Sequence, residues 1–143
     1  MEIVAALFIE NIDMRQAAGP STRIDLTGVH FSLAAPSEFP VTLTPHLVVL
    51  AHCAENSDGF GALEVVFERQ VDGEAVEVAK STQPVQIEPG KFTRQLVQAQ
   101  LPFDEPGTVV AHCRLAGGPV TTVPYTVLAY VPGAAVAQDN ISS

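Results

Sequence analysis

Hydrophobic and polar residues alternate with a period of two along most of this chain, and no stretch of ten or more residues follows a helical period. The pattern is densest between Leu43 and Cys53. After Pro45, successive side chains of an extended strand place Leu47, Val49, Ala51 and Cys53 on one face and His46, Val48, Leu50 and His52 on the other. Apolar residues on both faces predict a central strand. About sixty residues later, Thr108 to Leu115 repeats the Ala-His-Cys step, with Val109, Ala111, Cys113 and Leu115 opposite Val110, His112 and Arg114. Both thiols are expected to point inward and both imidazoles outward.

Turn signals divide the remainder. Ile3 to Glu10 reads as the first strand, and Asn11 to Ser21 as a turn-rich connection with room for a short helical turn before Gly19-Pro20. Thr22 to Leu33 is a second strand region broken near Gly28, and Ala34 to Pro40 is a loop whose Phe39 anchors into the core. Ala54 to Gly61 is rich in turn formers and reads as a mobile surface loop. Ala62 to Val71 buries Leu63, Val65 and Phe67, Asp72-Gly73 is a hairpin turn, and Glu74 to Ala79 is the returning strand. Val85 and Ile87 form a short apolar pair before the reversal at Gly90. Phe92 to Phe103 sets Val97, Ala99, Leu101 and Phe103 on one face, and Asp104 to Gly107 leads into the second Ala-His-Cys strand. The last strand, Val120 to Val131, is interrupted at Pro124, which lacks a ladder donor and so belongs at an edge or a bulge. The sum is an all-β chain, an antiparallel β-sandwich of eight or nine strands, immunoglobulin-like or C2-like, with a closed barrel as the alternative. Residues 1–132 form a single domain, and 133–143 a flexible C-terminal tail.

Composition narrows the partners. A chain of 143 residues with 47% hydrophobic content can bury a sizeable core without staples. Its formal charge of -9 repels nucleic acid phosphates and anionic lipid, so neither nucleic acid nor membrane is an expected partner. Met1 to Glu10 lacks the basic start of a secretory signal, and no apolar run reaches a membrane-spanning length. A cytoplasmic location follows, with Cys53 and Cys113 as thiols; their spacing is that of an immunoglobulin bridge, which would be oxidised only in a secreted protein.

An apolar opening strand at Ala5 to Ile9, then Gly19, the Thr27-Gly28-Val29 step, Phe39-Pro40 and the aliphatic run Leu47 to Leu50 form a further pattern, with turns at Asp72-Gly73 and Pro106-Gly107. In these features the chain resembles a family of small uncharacterised bacterial all-β proteins, a domain of unknown function. It departs from the family where a cysteine commonly follows the first strand and where Gly-Lys precedes the second. The resemblance implies a fold and no activity.

Few residues carry chemistry. His46, His52 and His112 would suit zinc or a similar ion if the two histidine-bearing strands paired, although no local ligand spacing supports it. That makes a small metal-binding protein or metal-dependent enzyme the alternative reading. His30 is read as an ordinary residue without a chemical role. The cysteines face a packed interior, which favours inert thiols over nucleophiles. Acidic pairs fall in loops at Glu55 and Asp58, Asp72 and Glu74, and Asp104 and Glu105. Such loops are similar to those of calcium-dependent sandwiches, but the Asp-x-Asp spacing is missing, and turns recruit Asp for backbone reasons alone. No phosphate loop, His-Glu-x-x-His, Cys-x-x-Cys or Gly-x-Ser-x-Gly occurs. The leading expectation is therefore a non-enzymatic module, without cofactor, that binds a protein partner or self-associates as a homo-oligomer. Strands apolar on both faces carry too much hydrophobic surface for one sandwich, which points to Val48, Leu50, Val110, Val120 and Tyr125 as the interaction surface.

Overall fold

The computed structural model describes residues 1–16 and 22–132. The Gly19-Pro20 break and the expected tail at 133–143 lie outside the described residues. Those that are described are all-β, in twelve strand segments: β1 (Glu2–Ile9), β2 (Asn11–Gln16), β3 (Thr22–Thr27), β4 (Ser32–Ala34), β5 (Val41–Leu43), β6 (His46–His52), β7 (Phe60–Val71), β8 (Glu74–Gln86), β9 (Phe92–Gln98), β10 (Leu101–Phe103), β11 (Gly107–Leu115) and β12 (Val120–Leu128). The count exceeds the eight or nine expected because bends split long strands. Thr44-Pro45 separates β5 from β6, and Ala99-Gln100 separates β9 from β10, yet the two halves stay paired on either side of the bend.

Two layers enclose the core. One is the sheet β1-β6-β9, extended by the β5/β10 pair; the other runs β4-β12-β11-β7-β8. Leu47, Val49 and Ala51 of β6, with Cys53 just beyond its end, face Val109, Ala111, Cys113 and Leu115 of β11 within one buried cluster, each at 3% exposure or less. Full burial of a Leu or Val side chain contributes about 1.5–3 kcal/mol, so these two inner faces are a principal source of stability. Across the layers the Phe8 and Tyr125 rings meet with centroids 4.7 Å apart.

The sandwich is closed along both sides. On one, the chain leaves the β2/β3 pair, a two-stranded sheet of its own, and joins layer two at β4. His30 N donates to Phe8 O and Thr126 N to Phe31 O, so the crossing falls at the His30-Phe31 step. Gly28 allows it: its φ is +69°, and a Cβ there would lie 2.5 Å from the Glu10 side chain. On the other side Gln83 Nε2 of β8 donates to Leu96 O of β9 at 3.2 Å.

Several local expectations are revised by long-range pairing. Asn11–Gln16 is a strand rather than a turn-rich or helical connection, because β3 supplies a partner to every residue from Asn11 to Gln16. The returning hairpin strand runs on from Ala79 to Gln86, matched residue by residue to β7 apart from one bulge. β12 continues through Pro124. That residue shares its sidedness with Thr126, whose N–H points toward β4, but β4 reaches only Thr126 to Leu128. The proline nitrogen therefore faces an open edge, where no donor is needed. Phe39 packs against the core as expected.

Arg69 secures the end of the sandwich. Its Nη2 donates to Pro102 O, and its guanidinium carbon lies 4.7 Å from the Phe103 ring centroid, tying β7 to β10. Arg69→Met should lower unfolding free energy by about 1–2 kcal/mol, from one hydrogen bond and one cation–π contact. A urea melt that shows no change would remove this role.

Candidate functional site: an outer sheet face and an acidic cleft

The expected metal set is dispersed. β6 and β11 belong to different layers, and their histidines lie on the outer faces of those layers, on opposite sides of the molecule. His46 and His52 share β6 but stand six residues apart, roughly 20 Å at strand rise. His52 neighbours Glu2, with Nδ1 3.7 Å from Oε1, and its ring centroid is 4.5 Å from that of Phe92. His112 Nε2 is 2.9 Å from Glu68 Oε1. His30 Nδ1 lies 2.7 Å from Gly28 O, and its ring meets Tyr125 edge-on. Among the described residues no three His, Cys, Asp or Glu side chains form a group able to hold a metal ion.

Both thiols are free and buried. Burial pushes the Cys113 thiol up to about 11, the reverse of what a nucleophile needs. Cys53 is held through its backbone by the Gly90 turn: its N–H donates to Lys91 O at 3.0 Å, and its carbonyl accepts from Gly90 N at 2.7 Å.

The five residues expected to form one interaction surface do not do so. Val48 and Tyr125 are buried, at 0% and 1% exposure, which corrects their placement at an open surface. Pairing with β11 turns Val123, Tyr125 and Val127 into the core, and alternation alone could not choose between two apolar faces. Leu50 and Val110 are half-buried and Val120 is exposed, but Leu50 lies on the outer face of layer one and the two valines on that of layer two.

The outer face of layer one is nevertheless the more apolar. Register aligns Leu7, Val48 and Leu96 across β1, β6 and β9, with Ala5, Leu50 and Arg94 in the next row and Glu2, His52 and Phe92 in the row beyond. Phe92 is 66% exposed and Leu96 45%. Neither was singled out from sequence. Their signal was parity: both fall on the face of β9 opposite Val97. A bulge between Ile3 and Ala5 adds the exposed Val4 at the rim.

Layer two carries a different feature. A cleft of about 610 Å³ lies between the end of β7, the Asp104–Gly107 turn and the outer side of β11. Its lining includes Glu68, Asp72, Asp104, Glu105 and His112, so residues from two of the three acidic loops noted in the sequence border one cleft. Such a lining favours cations over anions. Its arginine, Arg69, is engaged by Pro102 and Phe103, and the Thr108 hydroxyl is shared with Thr126 at 2.9 Å.

No described helix is long and apolar enough to cross a membrane. Compared with known proteins, the chain matches no family model and no curated protein.

Proposed function

We propose that the chain is a non-enzymatic β-sandwich module that acts by docking a protein, another copy or a separate partner, against the outer face of β1-β6-β9. The observation that carries the reading is the exposed pair Phe92 and Leu96 on β9, with the half-buried Leu7 and Leu50 on the same outer face. An apolar outer sheet face of this kind is normally covered, because water-facing antiparallel strands alternate toward polar residues. The separation of the imidazoles and the burial of both thiols favour binding over catalysis. Free thiols also suit a reducing compartment, and we assign the protein to the cytoplasm on that ground.

Leu96→Glu tests the reading. A charge placed in a docked apolar face is expected to weaken association at least about tenfold, or about 1.4 kcal/mol. Light scattering across a dilution series, with identification of co-purifying chains, provides the measurement. A strict monomer that brings down no other protein would refute the proposal.

A further inference from the structure

We infer that the occupant of this face is a second copy of the chain, related by a two-fold axis that runs along β6 in the plane of the interface. The inference rests on the docking reading above and goes further by naming the partner and its register. Charge selects the partner. The molecule carries a formal charge of -9 and so repels itself over most of its surface. The outer face of layer one escapes that excess: its rows carry Glu2 on β1 and Arg94 on β9, with neutral residues and the imidazoles of His46 and His52 between. A self-docking surface needs this local neutrality.

The positions of the two charges then select the symmetry. A two-fold axis along the central strand lays β1 of each copy over β9 of the other and keeps the rows in step. Leu7 falls over the exposed Leu96 of the second copy, on either side of Val48, which is already buried within each chain. Glu2 and Arg94 occupy neighbouring rows on opposite edge strands, so the same operation sets each Glu2 beside Arg94 of the other copy, about one row away, roughly 7 Å along the strand and within side-chain reach across sheets about 10 Å apart. Each contact occurs twice, as an isologous interface requires. Arg94 is exposed and makes no ion pair with a described residue of its own chain, which leaves it available.

Charge reversal in the full-length chain tests the register. Glu2→Arg and Arg94→Glu, each alone, place like charges together and should weaken the dimer about tenfold or more by sedimentation equilibrium; the double variant restores opposite charges and should return to within about threefold of the parent. Both positions are exposed, so folding is not at stake. As an independent readout, Leu7→Cys with Leu96→Cys should give a covalent dimer on mild oxidation. Within one chain these positions flank Val48 about 10 Å apart, too far for a disulfide. If Leu96→Glu disrupts the dimer while the double reversal fails to recover it and no cross-link forms, the two-fold register is wrong and the docking face stands. If the parent is monomeric at every concentration, the second copy is excluded; loss of a co-purified partner on Leu96→Glu would then keep the docking reading alone.

Discussion

Phe8→Ala should lower the unfolding free energy by about 3–5 kcal/mol, the range for removing a buried aromatic ring without refilling its space. Phe8 is fully buried on β1, and its ring packs on Tyr125 of β12. The contact joins the two layers, so truncation opens a cavity where neither sheet can move inward without disturbing its own ladder. A domain of this size has about 5–15 kcal/mol in total, so the variant should unfold at much lower denaturant with little change in slope. Phe8→Leu retains most of the volume and should recover more than half of the loss. A decrease below about 1 kcal/mol for Phe8→Ala would mean that the interface between the layers is not the principal core.

Alkali should weaken the fold through Cys113. The thiol has an ordinary value of 9.0 and is pushed up to about 11 by burial. Between those values the unfolded chain has released the proton and the folded chain still holds it, so fewer protons are bound in the unfolded state and stability falls as pH rises. The contribution is undiminished below 9 and has reached its full loss above about 11, a difference on the order of 2–3 kcal/mol. Burial also raises the Tyr125 hydroxyl, which acts in the same sense. The comparison that isolates the thiol is therefore the parent against Cys113→Ala, through pH 9 to 11 in denaturant melts. The variant should start less stable and decline less steeply. Parallel curves would show that the thiol ionises as readily in the folded chain as in the unfolded one.

Much of the fold was readable from the order of residues. β6 and β11 have one face that is wholly apolar, and for such a strand the inward side is settled by hydrophobicity alone; all eight expected core residues are buried. Asp72-Gly73 also turned as expected, with φ of 51° and 81°, because both positions of that hairpin turn require the left-handed region, which Gly and Asp tolerate. The candidate site was less legible. Leu96 and Phe92 share the outward face of β9 with the polar Arg94 and Gln98, and only the placement of β6 and β1 beside that strand joins them to Leu50 and Leu7. The cleft draws Asp72 and Asp104 together from separate turns, and nothing local in either turn announces the other.

The division has a physical cause. Side-chain direction along a strand is local, since it follows from the pleat of a few residues, and so the all-β class, the inward thiols and the outward imidazoles could be read before any coordinates. Layer membership is not local. It depends on which backbone edges find each other across long separations, and the pairing of β6 with β1 and β9, rather than with β11, sent His52 and His112 to opposite sides of the molecule. The same pairing brought Leu7, Val48 and Leu96 into one row, while that of β12 with β11 turned Tyr125 into the core.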